Sequence, residues 1–106
     1  MINRAVSQRT GMEAITFTLE QFRSVMLAAG YDEVTERSWE PNTTLDVHTH
    51  PFDANAIVVS GYLWLSVNGA EPMRLFAGDT FHLVANTPHA EKYGPEGATY
   101  WVARKS

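Results

Sequence analysis

The chain has 106 residues, a length typical of one folded domain that buries a hydrophobic core without covalent staples. It contains no cysteine, so disulfides, thiolate zinc clusters and a cysteine nucleophile are excluded. Twelve acidic against eight basic residues give a net charge of -4, which argues against nucleic acid or an anionic membrane as a partner. No apolar run approaches the roughly 20 residues that span a bilayer, and the first residues lack a signal-like stretch, so we expect a cytoplasmic protein.

Residues 1–12 are polar and aperiodic, which predicts a flexible N-terminal tail. An amphipathic helix is predicted over about 19–29, because apolar residues recur there at helical spacing. Thr18 and Gln21 form a capping-box pattern at its start, and Gly30 can supply the left-handed residue that ends it.

Beyond Gly30 the sequence changes to short β-rich runs separated by turn signals such as Asn68-Gly69. This spacing predicts an antiparallel, all-β sandwich or barrel that forms a single domain over 13–106. The predicted strands are 31–39, 44–50, 55–60, 62–67, 73–76, 80–84, 89–93 and 98–104, with a turn at 94–97.

Two neighbouring predicted strands are apolar on both faces. Residues 56–59 are all apolar, and in the next strand Tyr62 and Trp64 lie opposite an aliphatic face. Both sides of this region therefore need cover. Either a second copy of the chain packs on the Tyr62 and Trp64 face, giving a homodimer, or the N-terminal helix covers it.

His48-Thr49-His50 is a chelating pattern, because side chains at i and i+2 of a strand point to the same face. Neutral imidazole is the commonest protein ligand for transition metals. His89, which follows Pro88 on another predicted strand, would complete a three-histidine metal site with open positions. The alternative is that His48 and His50 are an incidental polar pair near the surface.

These histidines fall at the spacing of the two cupin motifs, and the chain resembles that family from about residue 35 to 104. The motif positions are occupied, in order, by Asn42, His48, His50, Ala54 and Gly61, and then by Gly78, Val84, Asn86, His89 and Tyr93. The resemblance implies an RmlC-like double-stranded β-helix, or jelly-roll barrel, as in small single-domain cupins, here with one N-terminal helix. It also implies that His48, His50 and His89 hold a divalent transition metal such as Fe, Mn, Ni or Zn.

The chain departs from the family where the metal-binding glutamate falls on Ala54, which has no donor atom. The fourth ligand must then come from Asp53, from Glu91 or from water. Glu91 lies two residues beyond His89, so alternation places its carboxylate on the same face, as a ligand or a general base. The alternative is that Asp53 is structural and orders the turn after Pro51 through a side-chain to backbone hydrogen bond.

Tyr93 stands at the family's asparagine position on the same face, where its hydroxyl would orient a ligand or close the pocket. Glu91 and Tyr93 are therefore the predicted catalytic residues. Asp46 lies two residues before His48, and its side chain is a further candidate to hydrogen-bond an imidazole.

A small pocket is predicted beside the histidines, because Ala54 and Ala56 alternate toward the interior and leave space there. His82 is expected to face outward, since it lies between the predicted core residues Phe81 and Leu83.

Three functions are compatible with these residues. The first is a metal-dependent dioxygenase, isomerase or lyase acting on a small organic acid, as the resemblance implies. The second is a non-catalytic sensor or carrier that binds a small ligand. The third is a degenerate cupin kept for assembly, which the presence of all three histidines disfavours. The favoured interpretation is a metal-binding cupin that binds or acts on a small organic molecule, with its reaction left open.

Overall fold

Two long strands organise the fold. The computed structural model describes residues 18–106, and within that range the chain forms one helix and six strands. In chain order these are α1 (Leu19–Ala28), β1 (Glu33–Trp39), β2 (Thr44–His48), β3 (Asp53–Val67), β4 (Met73–Phe76), β5 (Thr80–Leu83) and β6 (His89–Lys105). The predicted tail at 1–12 lies outside the described residues, and so do residues 13–17 of the predicted domain.

The two long strands, β3 and β6, pair antiparallel with each other, and each shorter strand pairs antiparallel with one of them. Across the described residues the strand order is β1-β6-β3-β4, with β2 also paired to β6 and β5 also paired to β3. β2 pairs with the first part of β6, and β1 pairs with the last part of β6. In the same way, β5 pairs with the first part of β3, and β4 pairs with the last part of β3. The fold therefore has two halves that share both long strands, which confirms the predicted all-β jelly roll with an N-terminal helix.

The register between β3 and β6 slips at their middle. Gly61 pairs with Ala98, but Leu63 pairs with Tyr93, so residues 94–97 bulge from the ladder. The prediction of a turn at 94–97 is wrong, because these residues form a bulge within β6 and the chain does not reverse its direction there. Consequently the predicted strands on either side are joined, both in β3 and in β6.

Gly61 is required at this slip by close approach of the backbone. Its φ is 70°, in the left-handed region, and an added Cβ would lie 2.1 Å from the carbonyl oxygen of Gly97. No side chain can be accommodated at that distance. This close contact therefore explains why glycine occupies position 61, the last position of the first cupin-like motif.

The core fills the space between the two halves, and α1 packs on the outside of one of them. Phe22 of α1 is buried against Ile57 and Ala103. The main core cluster consists of Ala54, Ala56, Val58, Leu63, Leu65, Leu75, Leu83, Tyr93, Ala98, Tyr100 and Val102.

The start of α1 has the predicted capping box. The Gln21 backbone N–H donates to Thr18 Oγ1 at 3.1 Å, and the Thr18 backbone N–H donates to Gln21 Oε1 at 2.8 Å. The helix ends at Ala28, one residue before the predicted end. Among residues 18–106, no helix is long and apolar enough to cross a membrane.

A different outer surface carries Tyr62 and Trp64. The Arg74 guanidinium lies 5.5 Å from the Tyr62 ring centroid and 4.9 Å from that of Trp64. Because α1 packs on Ile57 and Ala103, it covers the outside of the other half of β3 and not these rings. The alternative in which the helix covers this face is therefore wrong for the described residues, and the homodimer stays a prediction.

Candidate metal centre

A β-bulge in β2 turns His48 toward the interior. Leu45 pairs with Glu91 and His48 pairs with His89, so three steps along β2 match two along β6. Regular alternation would place Leu45 and His48 on opposite faces, and the extra residue lets both face inward. Leu45 packs against the core, and both side chains line the same cavity.

The same bulge removes the Asp46 side chain from the site. The prediction that its carboxylate shares the face of His48 is wrong, because Asp46 is exposed, as is its neighbour Val47. The Asp46 backbone carbonyl takes the predicted role, since His48 Nδ1 lies 2.7 Å from Asp46 O. A carbonyl oxygen only accepts, so His48 carries a proton on Nδ1 and donates it there.

His89 is held in the same way at the first residue of β6. Its Nδ1 donates to Thr87 O at 2.9 Å, and the side chain is buried. Because Nδ1 of both His48 and His89 carries a proton, Nε2 of each neutral ring has a free lone pair. Nε2 is therefore the atom that each imidazole offers to a metal.

His50 lies just after β2, which ends at His48 and not at the predicted residue 50. Its ring stacks on Phe52 with centroids 5.0 Å apart, and its backbone carbonyl accepts from the Asn86 N–H at 2.6 Å. One ligand atom from each of His48, His50 and His89 lies within 4.8 Å of the other two. The histidines predicted from their spacing are thus brought together.

Burial lowers the pKa of His50, and the nearby His89 and His48 lower it further. Among the other charges, Glu91 raises it and Arg104 lowers it. His50 is consequently neutral at physiological pH, which is the state that binds a metal.

Glu91 lies inside the cavity, as alternation along β6 predicts, and is 9% exposed. Its Oε2 is 3.6 Å from His48 Nε2 and 3.5 Å from His89 Nε2. The Tyr93 hydroxyl donates to its other oxygen, Oε1. Burial raises the pKa of Tyr93, so this phenol keeps the proton that it donates. Tyr93 therefore fixes the carboxylate with Oε2 directed at the imidazoles.

Three hydrogen-bond acceptors converge in this arrangement, namely Nε2 of neutral His48, Nε2 of neutral His89 and Oε2 of Glu91. The protons of His48 and His89 are used on backbone carbonyls, so both Nε2 atoms present lone pairs toward Glu91 Oε2. Acceptors packed this closely repel one another unless a cation or a proton lies among them. The site is electrostatically suited to bind a positive charge.

Asp53, one of the residues considered as fourth ligand, is used elsewhere. Its Oδ1 accepts from the Ala85 backbone N–H at 2.8 Å. This bond joins the start of β3 to the loop before β6, and the Asn86 bond to His50 joins the same loop to the residues after β2. Asp53 is thus structural, although it orders the loop at Ala85 and not the turn after Pro51.

A cavity of about 120 Å³ adjoins the histidines. Ala54 lines it where the family's glutamate would project, and Ala56 beside it is buried, which agrees with the predicted pocket. His82 is exposed and faces outward, as predicted. The lining residues are Arg37, Trp39, Leu45, His48, His50, Phe52, Ala54, Phe81, Leu83, His89, Glu91, Tyr100, Val102 and Arg104.

Sequence reasoning missed the arginines in this lining. Arg37 follows Thr35 and precedes Trp39 at two-residue spacing on β1, so alternation could have placed it inside with Trp39.

Sequence reasoning also missed the conformation of Asn42 and Asn86, whose φ angles are 59° and 65°. Both stand at glycine positions of the motifs, and asparagine tolerates the left-handed region better than most residues.

The strand arrangement, the closely approached Gly61 and the inward histidines define a small cupin fold. Among solved structures the chain is similar to one from the crystal structures of the DMSP lyases RdDddP and RnDddQII, with 27% identity and a TM-score of 0.63. The match covers 69% of this chain and 37% of that one, so this chain spans well under half the length of the lyase chain.

Two further structures support the same fold. An RmlC-like cupin from Shewanella frigidimarina matches with 20% identity and a TM-score of 0.59, over 69% of this chain and 65% of that one. Oxalate oxidase in complex with glycolate matches with 22% identity and a TM-score of 0.60, over 69% and 41% of the two chains. No protein-family model matches the chain, and no curated protein sequence is significantly similar to it.

Proposed function

We propose that this chain is a metal-binding cupin that holds a divalent transition metal through Nε2 of His48, Nε2 of His89 and a ring nitrogen of His50. The observation that carries the proposal is the convergence of two imidazole Nε2 atoms on a buried carboxylate oxygen. Such a set of acceptors is stabilised by a cation at its centre.

The donor set fits a first-row metal. Ligand atoms on one tetrahedral metal lie roughly 3.3–3.6 Å apart when each bond is about 2.0–2.2 Å long. The 3.5 and 3.6 Å between Glu91 Oε2 and the two Nε2 atoms are close to this separation. Imidazole with a carboxylate suits Fe(II), Mn(II), Ni(II) or Zn(II), and a metal bound here would supply Lewis acidity or oxygen activation.

Glu91 takes the place of the family's glutamate in this proposal, entering the site from β6 and not from position 54. Its Oε2 would be the fourth protein ligand, or would accept a proton from a bound molecule if the metal leaves it free. Tyr93 acts through Glu91 as a positioning residue, because its hydroxyl holds Oε1.

The metal centre opens on a cavity that accepts a small organic molecule. Structural neighbours include DMSP lyases and oxalate oxidase with glycolate, whose names indicate small substrates or analogues. We propose a metal-dependent reaction on such a molecule in the 120 Å³ cavity. The second candidate is a non-catalytic carrier or sensor, which the small and mostly apolar lining also suits.

Elemental analysis of protein purified without chelator or a histidine tag tests the proposal. We expect a stoichiometric transition metal in the unmodified chain and its loss in His48→Ala. His82→Ala is the matched control, because His82 is exposed outside the site. Less than about one-tenth of an equivalent of metal, unchanged by His48→Ala, contradicts the metal site. The predicted cytoplasmic location and homodimer are independent of this result.

A further inference from the structure

Two arginines line the same cavity as the histidines but come from other strands. Arg37 lies on β1, paired with Tyr100, and Arg104 lies near the end of β6, paired with Ala54. The histidines come instead from β2, the residues after it and the start of β6. The cavity therefore has guanidinium groups on walls separate from its imidazole cluster.

The two guanidinium groups differ in how far their charge is already compensated. Arg104 Nη1 lies 3.2 Å from Glu33 Oε2, and its guanidinium stacks on Phe52 at 4.9 Å. Arg37 stacks on Trp39 at 4.9 Å and, among residues 18–106, has no carboxylate within 4.0 Å. Arg37 is the cation with hydrogen-bond donors left for a ligand.

The charges around the cavity favour an anion. Its lining contains two arginines against one glutamate, although the whole chain carries a net charge of -4. The single carboxylate, Glu91, is engaged with Tyr93 and the imidazoles. A divalent metal at the histidines would add further positive charge.

We infer that Arg37 is the residue that selects a carboxylate ligand, and that the occupant of this cavity is a small monocarboxylic acid with an apolar body. A guanidinium matches a carboxylate bidentately, and stacking on Trp39 orients its planar fork. The inference deepens the proposed function and rests on it for the role of the metal.

The cavity limits the size of that acid. A cavity of about 150 Å³ holds a molecule the size of benzene. The cavity of about 120 Å³ in this chain therefore accepts a body somewhat smaller than benzene. Leu83, Phe81 and Val102 contribute apolar lining that suits a short hydrocarbon chain.

Butyrate and the neutral butyramide, nearly equal in size, are the probes that test this inference. Each is titrated into Zn(II)-loaded protein and into EDTA-treated protein, and NMR follows the arginine side-chain Nε–H signals. We expect butyrate to bind at least about tenfold more tightly than butyramide in both forms, because a hydrogen bond to a charged partner is involved. The Arg37 signal should shift with butyrate.

Arg37→Gln should remove the preference for butyrate and leave butyramide binding within about twofold. Arg37→Lys keeps the charge but loses the bidentate fork, so it should retain a weaker preference. Arg74→Gln is the matched control, because Arg74 is exposed on the Tyr62 face outside the cavity. A dispersed NMR spectrum confirms that each variant is folded.

The results separate this inference from the proposed metal site. Equal binding of the two probes, no binding of either up to about 20 mM, or a preference that survives Arg37→Gln overturns the inference. A preference for butyrate that vanishes on EDTA treatment also overturns the inference, because the metal, and not Arg37, would then bind the carboxylate. An Arg37-dependent preference in a chain that takes up no Zn(II) supports the inference and contradicts the metal site alone.

Discussion

Tyr93 donates its hydroxyl proton to Oε1 of Glu91, two residues earlier on the same face of β6. This bond is buried, and it turns Oε2 toward Nε2 of His48 and His89. A phenol that keeps its proton thus determines where the carboxylate of the site points.

Tyr93→Phe removes that bond without changing the packing of the ring. We expect the free energy of unfolding to fall by about 1–3 kcal/mol, because a buried carboxylate loses a donor. Metal affinity should fall as well, since Oε2 is no longer held in place. Isothermal titration with Zn(II) and urea unfolding measure the two effects. Tyr62→Phe on the outer surface is the control, and equal affinity in both variants would show that Tyr93 does not position Glu91.

Glu91→Gln keeps the size of the side chain and removes its charge. If Oε2 is the fourth ligand, Zn(II) affinity should fall at least about tenfold, as is usual when a metal ligand or its supporting group is lost. Glu96→Gln, at an exposed position of β6, should have no effect. Unchanged metal affinity would exclude the ligand role, and a loss of turnover with unchanged affinity would assign Glu91 as a base.

Ala54→Glu in the Glu91→Gln background tests whether the two positions are equivalent. Ala54 lines the cavity at the family's glutamate position, so a carboxylate there should restore metal binding lost in Glu91→Gln. Ala54→Gln has the same bulk without charge and should not restore it. If neither double variant recovers Zn(II) although both remain folded by circular dichroism, Glu91 is not a substitute for the missing glutamate.

The spacing of residues was sufficient to predict the fold and the histidine cluster. His48, His50 and His89 are at motif distances, and the strands between them follow from alternation and turn residues. The inward position of Glu91 is also predicted from the sequence. The pairing of β6 with β3 is unbroken from His89 to Tyr93, so side chains alternate regularly between the two faces there. Periodicity is reliable in such segments, since one face is buried and the register is strongly specified.

The irregular positions could not be predicted in the same way. The bulge in β2 depends on pairing with β6, a long-range relationship that residues 44–48 do not encode locally. Alternation alone therefore predicts the wrong face for Asp46. The sequence at 94–97 predicts a turn for the same reason, because Gly94 and Gly97 suit both a turn and the observed bulge. The sequence does not indicate that Arg37 lines the cavity, because charged residues are usually exposed.

Metal affinity should depend on pH through the histidines. Protons compete with the metal for imidazole nitrogen, whose ordinary pKa is about 6.5. Burial, His89 and His48 lower the pKa of His50, so protons compete at this ring at a lower pH than at an ordinary imidazole. We therefore expect Zn(II) affinity to fall progressively as pH drops through about 6.5 and below. Titrations across this range measure it, and an affinity independent of pH between about 5 and 7 would contradict imidazole ligation.

A second copy of the chain on the Tyr62 and Trp64 face is the last prediction. Phe76, 44% exposed, pairs with Tyr62 and extends this apolar surface onto β4, which lies at the end of the described strand order. Sedimentation velocity at micromolar concentration should detect a dimer, and Trp64→Glu should convert it to monomer by placing a charge in the interface. Val84→Glu adds the same charge at an exposed position elsewhere and should leave the dimer intact. A strict monomer in the unmodified chain rules the dimer out, and Tyr62 and Trp64 are then ordinary surface residues shielded by Arg74.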